Sequence, residues 1–204
     1  MKTLLFQESL ELVILIIFFM FIFKNNDKIF FLLAVLIFIL IYFYRLPNRI
    51  LKKNSKKAII SPCDGIILNI ENTKHNMVKI SIYLNIFDVH VQWYPTHGII
   101  RKIIYKKGEF NLAYLLEKSK FNERLSTIIQ NEFGIIRIDQ IAGQLARRIV
   151  NWSITNTKVS KGKIMGMIKL SSRVDIYLPR NKVKLFVIKN QRIKGKISKI
   201  AEWI

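Results

Sequence analysis

Two long apolar runs near the N-terminus limit what this chain can fold into more than any other feature. Residues 12–23 and 29–44 contain no charged side chain and almost no polar one. Because a helix needs about 20 apolar residues to cross a bilayer, the second run is short, and the first reaches that length only if it includes Glu8 and Glu11. We therefore expect residues 1–44 to form a helical hairpin that either spans a membrane or re-enters it from one side.

A basic segment follows the apolar runs. Residues 45–58 contain six lysine and arginine residues and no acidic one. Such clusters tend to stay on the cytoplasmic side, so we expect a juxtamembrane linker here, localisation at the cell membrane, and a catalytic domain on its cytoplasmic face. The first 44 residues hold equal numbers of basic and acidic side chains, so the net charge of +21 belongs to the rest. That charge suits anionic lipid or nucleic acid, and the adjacent anchor favours lipid, with no nucleic acid partner.

The remaining chain, residues 59–204, shows the pattern of a β domain. Short runs rich in β-branched and aromatic residues alternate with turn residues, as at 65–70, 77–86 and 89–94. The apolar spacing in residues 111–132 is nearer that of a helix or of an excursion from the sheet than that of a strand, and predicts a partly helical insertion. The sequence thus predicts a mainly β soluble domain with one or two short helices.

Cysteine and metal chemistry are restricted by composition. The single cysteine, Cys63, permits neither an internal disulfide nor a cysteine-based zinc site. A lone cysteine agrees with a reducing compartment. We predict no metal site.

Three segments place reactive side chains beside turn residues: SPCDG at 61–65, FDVHVQWYP at 87–95 and KLSSRVDIYLP at 169–179. Taken singly they indicate little. Asp64 is typical of an aspartate that caps a turn, and His90 of a solvated histidine in a strand. Ser171 and Ser172 alone would be an ordinary turn.

In this order and spacing, the segments resemble the short, bacterial and archaeal form of phosphatidylserine decarboxylase. The resemblance extends over nearly the whole chain, and six separate blocks in one order are specific where one would not be. The blocks are FYRLPNR at 43–49, SPCDG at 61–65, ISIYLNIFDVHV at 80–91, Gly108 and Phe110 with NER at 122–124, QIAGQLARRIV at 140–150, and GMIKLSSRVDIYLP at 166–179.

The resemblance implies a precursor that cuts itself. Ser172 would attack the carbonyl of Ser171 and form an ester, with His90 as the base and Asp64 orienting it. Elimination would then cleave the chain between Ser171 and Ser172 and leave a covalent pyruvoyl cofactor formed from Ser172. The products would be a large chain, 1–171, and a small chain, 172–204. The pyruvoyl group would remove CO₂ from phosphatidylserine to give phosphatidylethanolamine, and His90 would return a proton.

Two features of the resemblance carry weaker expectations. Ser171 stands where the family usually has glycine, and its Cβ predicts slower cleavage. Arg124, Arg147 and Arg148 could bind the phosphate or carboxylate of the substrate, since guanidinium groups match both, although structural salt bridges explain them equally well.

Other interpretations stay open at this point. The substrate could be another serine phospholipid such as archaetidylserine, because the head group is the same. A non-catalytic, basic, membrane-tethered lipid-binding module would also explain the charge and the apolar runs, but not the conjunction of Asp64, His90 and Ser172. The sequence is also compatible with a homo-oligomer.

Overall fold

The computed structural model describes residues 2–51, 55–144, 148–169 and 172–204. The chain forms two compact units, Met1–Asn48 and Arg49–Ile204.

The first unit is a pair of helices, α1 (Lys2–Ile22) and α2 (Asp27–Phe43). The side chain of Asn26 caps α2 by accepting a hydrogen bond from the backbone N–H of Ile29 at 3.2 Å. Many large apolar side chains of both helices are exposed, Phe21 and Phe31 among the most. Within the described ranges, no helix combines the length and the apolar character needed to cross a bilayer. The helices agree with the predicted helical pair, and their insertion in a membrane stays a prediction.

The second unit is a mainly β domain, as predicted. Its elements are β1 (Ala58–Ile60), β2 (Gly65–Asn72), β3 (Met77–Leu84), β4 (Val91–Trp93), β5 (Gly98–Lys106), α3 (Leu116–Ser119), β6 (Arg124–Gln130), β7 (Ile135–Ala142), β8 (Ile149–Asn151), β9 (Lys158–Val159), β10 (Ile164–Ile168), β11 (Ser172–Pro179), a 3₁₀ turn (Arg180–Lys182), β12 (Val183–Leu185), β13 (Arg192–Ile193) and β14 (Lys199–Trp203). Eight strands form one antiparallel sheet in the order β13-β2-β3-β11-β7-β6-β5-β9. Two smaller sheets have the orders β1-β14-β12 and β4-β10-β8.

The core follows from the alternation of side chains along the central strands of the large sheet. In β11, Val174, Ile176 and Leu178 are fully buried on one face. They lie opposite apolar residues of β3, with Val174 paired to Ile82. Since successive side chains of a strand point to opposite faces, Ser172 lies on the same inner face as these three. Its hydroxyl therefore lies at the end of this row of apolar side chains.

The outer face of the same sheet is covered near the start of β11 by the segment between β5 and β6, residues 107–123, called here the covering segment. Arg173 donates a hydrogen bond to Ser119 Oγ of this segment at 2.5 Å and pairs with Asp175 at 3.0 Å. The rings of Tyr83 and Tyr114 meet edge to face at 5.8 Å. These contacts hold the covering segment against the strand that begins with Ser172.

The prediction of a partly helical insertion at residues 111–132 is wrong for the second half of that range. Its only helix in the structure is α3, and Arg124–Gln130 is strand β6, paired with β5 on one side and β7 on the other. The side chains that face inward are Leu125, Thr127 and Ile129. Thr127 hides the alternation because it is polar, so the apolar residues alone show a helix-like spacing. The pairing of β6 with β5 and β7 outweighs the local preference of its sequence for a helix.

Candidate active site

Three strands of the large sheet end or begin at the same level, which places their loops together. Ser172, the first residue of β11, pairs with Leu84 at the end of β3 and with Ala142 at the end of β7. The loops that follow β3 and β7 therefore leave the sheet beside Ser172. This end of the sheet is called the serine end below.

The hydroxyl of Ser172 is buried and available. Ser172 has no solvent-exposed surface, and its Oγ has no hydrogen-bond partner among the described residues. Leaving a buried polar group unpaired costs about 1–3 kcal/mol, and in native proteins such groups often have a chemical role. Ser171 lies outside the described residues, and so does the predicted cleavage bond between Ser171 and Ser172.

A backbone contact sets the tautomer of His90. Its Nδ1 lies 2.8 Å from the backbone oxygen of Asp88, which can only accept a hydrogen bond. The neutral imidazole therefore carries its hydrogen on Nδ1 and its lone pair on Nε2. The backbone oxygen of His90 accepts a hydrogen bond from the N–H of Ile168 at 3.3 Å. Because Ile168 is four residues before Ser172, this bond joins the histidine segment to the strand that leads to the serine.

A rigid turn positions the Asp88 carbonyl that orients His90. The Oδ1 atom of Asn85 accepts hydrogen bonds from the N–H groups of Phe87 and Asp88 at 2.8 and 3.1 Å. The carboxylate of Asp88 accepts one from the Asn85 N–H at 2.9 Å and one from Arg192 at 2.5 Å. Asp88 and Arg192 are not among the residues that the sequence predicts for the site. The spacing of Asn85 and Asp88, typical of side chains that bond to nearby backbone, was the available signal.

The carboxylate of Asp64 is buried in an ion pair. Arg49 donates to both of its oxygens, at 2.5 and 2.7 Å, and the N–H of Gly195 donates to Oδ1 at 2.8 Å. A side chain at position 195 would not fit, since a Cβ there would lie 2.5 Å from the ring of Trp93. Arg49 and Gly195 are thus the contacts that the structure gives for Asp64. Its predicted role in orienting His90 stays a prediction.

Cys63, next to Asp64, is unsuited to be the nucleophile. Its thiol is fully buried, and burial raises its pKa well above the usual value, with a further rise from the charges of Asp64, Asp88 and Asp175. A thiol reacts as its thiolate, and this one stays neutral near pH 7. The role of Ser172 as the nucleophile stays a prediction.

The three arginines predicted to bind substrate have different surroundings. Arg124 begins β6, and its guanidinium donates to the backbone oxygen of Lys120. Arg148 is exposed, and its backbone oxygen accepts a hydrogen bond from the N–H of Lys169 at 3.2 Å, three residues before Ser172. Arg147 lies outside the described residues. Binding of the head group by these arginines stays a prediction.

Asn122 has a structural task that the sequence does not reveal. Its amide nitrogen donates to the backbone oxygen of Ala142 at 2.7 Å and to that of Asn111 at 2.8 Å. Its Oδ1 accepts from the N–H of Asn111 at 2.9 Å. The side chain thereby fastens the covering segment to the end of β7, beside Ser172.

A chain of amide side chains runs through the interior behind His90. Gln92 donates to the backbone oxygen of His90 at 2.7 Å, and Gln140 donates to Oε1 of Gln92 at 2.9 Å. Asn151 donates to Oε1 of Gln140 at 2.7 Å. Gln92 and Gln140 are fully buried. The chain joins β4, β7 and β8 and fixes the backbone of the histidine segment.

We expect Gln140→Leu to destabilise the fold by about 3 kcal/mol, because it leaves buried groups of Gln92 and Asn151 without their partner. Urea denaturation of the full chain in detergent measures the change, with Ser172→Ala present in every sample to prevent the self-cleavage that the resemblance predicts. The matched control is Gln130→Leu, at the exposed end of β6, which should change stability by less than about 0.5 kcal/mol. Equal losses for the two variants would contradict the role of the amide chain.

Fold and site together define a class: a mainly antiparallel β protein with a fully buried serine at the start of a central strand and a buried histidine in a neighbouring loop. A family model described as phosphatidylserine decarboxylase matches residues 36–197. The chain belongs to the phosphatidylserine decarboxylase family.

Individual relatives are similar in sequence to this chain over most of its length. It is 38% identical over 167 residues to a phosphatidylserine decarboxylase proenzyme of Carboxydothermus hydrogenoformans, covering 79% of this chain and 78% of the relative. The proenzyme of the same name from Parabacteroides distasonis is 35% identical over 169 residues, 79% of this chain and 76% of its own length. That of Porphyromonas gingivalis is 40% identical over 147 residues, 68% of this chain and 66% of its own.

Proposed function

We propose that this chain is a precursor that converts its Ser172 into a pyruvoyl group and then decarboxylates phosphatidylserine to phosphatidylethanolamine. The observation that carries the proposal is the buried, unpartnered hydroxyl of Ser172 at the start of β11. It is supported by membership of a family whose curated relatives are called proenzymes.

In the first step, His90 Nε2 takes the proton of Ser172 Oγ, which attacks the carbonyl carbon of Ser171. The peptide C–N bond breaks as the ester C–O bond forms. Removal of the Cα proton of residue 172 then expels the Ser171 carboxylate and leaves a dehydroalanine. Addition of water and loss of ammonia give the pyruvoyl group. Slower cleavage because of the Ser171 Cβ stays a prediction.

The surroundings of Ser172 fit a small carbonyl group formed in place. The residue is fully buried on the apolar face, where an uncharged group is not penalised. When formed, the pyruvoyl group supplies a carbonyl that condenses with the substrate amine and accepts the electron pair released as CO₂ leaves. His90 then holds the proton that the substrate carbon takes up, and Asp88 fixes the ring that delivers it.

The large and small chains remain one folded unit in this proposal. β11, the first strand of the small chain, pairs with β3 along its whole length and with β7 over most of it. Both partners belong to the large chain. Cleavage before Ser172 breaks one peptide bond at the start of β11. Because β11 stays hydrogen-bonded to β3 and β7, the sheet keeps its strand order.

We further propose that the helical pair anchors the protein in the cell membrane with the β domain on the cytoplasmic face. The exposed phenylalanines of α1 and α2 and the basic residues at 45–58 support this placement. Protease protection in oriented vesicles tests it. Release of the intact chain from membranes by high salt without detergent would contradict it.

The activity is tested by release of CO₂ from carboxyl-labelled phosphatidylserine in mixed micelles. We expect Ser172→Ala to lower the rate by on the order of a thousandfold or more, because neither the nucleophile nor the group derived from it can form. The control is Ser160→Ala, an exposed serine that should leave the rate unchanged. Normal CO₂ release by Ser172→Ala would contradict the proposal.

A further inference from the structure

Exposed aromatic side chains of the β domain are concentrated at the serine end. In the described part of residues 49–204 they are Phe87, Tyr105, Tyr114, Phe121 and Phe186. Phe87 follows the end of β3, and Tyr114 and Phe121 belong to the covering segment. Tyr105 is at the same level, because it pairs with Leu125 at the start of β6. The fifth, Phe186, follows β12 in the separate sheet β1-β14-β12.

These side chains are carried on fixed backbone. The Asn85–Asp88 turn holds Phe87 outward, with the Phe87 N–H bonded to Asn85 at 2.8 Å. The covering segment is fastened to Ala142 by Asn122 and to β11 by Arg173. Because these contacts already order the surface, it loses little conformational entropy when it binds a partner. The free-energy cost of association is therefore lower.

The same end carries exposed lysines, which are Lys106, Lys107, Lys118 and Lys120. Lys120 lies 5.3 Å from the ring of Phe121. The covering segment also holds three carboxylates, Glu109, Glu117 and Glu123. Glu117 accepts a hydrogen bond from Lys120 at 2.9 Å, and Glu109 accepts one from the amide of Asn111 at 2.7 Å. The nearby ammonium group of Lys120 lowers the pKa of Glu117. Residues 106–124 hold five basic side chains against three acidic ones, so this part of the chain has an excess of positive charge.

We propose that the serine end of the β domain is itself a membrane-docking face, which rests on the surface of a bilayer containing anionic phospholipid. Aromatic side chains with lysines among them are the composition found at membrane–water interfaces, where rings lie among the head groups and ammonium groups meet phosphates. The inference rests on the proposed function, since it places the end of the sheet that holds Ser172 at the level of the substrate head group. The lipid then reaches the site without leaving the bilayer.

Depth measurements test the docking face directly on the full chain. A nitroxide is attached to Phe121→Cys and, as the matched control, to Phe186→Cys; both positions are exposed and lie beside a lysine. The native Cys63 is fully buried and does not react in the folded protein. In vesicles of phosphatidylethanolamine and phosphatidylserine, the label at 121 should be several-fold more accessible to oxygen relative to a water-soluble nickel chelate than the label at 186. Equal, water-like accessibility at both positions would overturn the proposal.

Activity on two forms of the substrate provides the second test. Phe121→Ser should slow decarboxylation of phosphatidylserine in vesicles by roughly tenfold and leave the rate on a monomeric short-chain phosphatidylserine unchanged. Phe186→Ser should alter neither rate. An equal loss on both substrates would show damage to the site and count against docking. If the unmodified chain acts on neither substrate, the proposed function fails, while the nitroxide labels still report whether the face docks.

Discussion

His90→Ala should remain a single chain under conditions in which the unmodified protein matures. The hydroxyl of Ser172 is a poor nucleophile at neutral pH, and in the proposed function its base is Nε2 of His90, whose tautomer the Asp88 carbonyl sets. Loss of a general base slows a reaction by about 10²- to 10⁴-fold. Pulse-chase labelling followed by gel electrophoresis measures the rate of cleavage.

Two further variants separate loss of the base from loss of the fold. His90→Asn keeps a group that can donate to the Asp88 carbonyl and cannot act as a base, so it should also stay uncleaved. His97→Ala should mature normally, because the side chain of His97 pairs with Glu132 at 3.0 Å on the surface. Normal maturation of His90→Ala would place the base elsewhere and make His97 the next candidate.

Asp64→Ala should destabilise the protein by about 3–5 kcal/mol, since it leaves the guanidinium of Arg49 buried without its partner. Arg49→Ala should have a similar effect for the converse reason. Urea denaturation in detergent, again with Ser172→Ala present, measures both. A loss below about 1 kcal/mol would show that the pair behaves as an exposed salt bridge.

The double variant Arg49→Leu with Asp64→Leu distinguishes structural from chemical loss at this position. Replacing both partners of a buried pair by apolar groups can be close to neutral, so most of the stability should return. If Asp64 also takes part in the reaction, as the family resemblance predicts, this stable double variant will not cleave itself. Cleavage at the normal rate would assign Asp64 a purely structural role.

The sequence predicts the β character of the domain because β-branched runs alternate with turns, as in the strand that carries Val174, Ile176 and Leu178. It fails at β6, where Thr127 occupies an inward position and masks the alternation. The pairing of β6 with β5 and β7 is tertiary information that a local pattern does not contain.

Within the candidate site, the order of motifs predicts Ser172, His90 and Asp64 but not the groups that hold them. Asp88 and Arg192 are separated by 104 residues, and Asp64 and Gly195 by 131. These partners meet because β13 pairs with β2, and that register cannot be read from either segment alone. The amide chain through Gln92 and Gln140 depends in the same way on the packing of separate sheets.

Intact-mass analysis of the purified full chain tests the central claim most directly. We expect two chains, residues 1–171 and 172–204, with the small chain lighter by one ammonia than a peptide beginning with serine, blocked to N-terminal sequencing and reactive toward a hydrazine at its new carbonyl. A single chain of full mass after prolonged incubation in lipid, or a small chain with a free serine amine at position 172, would contradict the proposed conversion of Ser172.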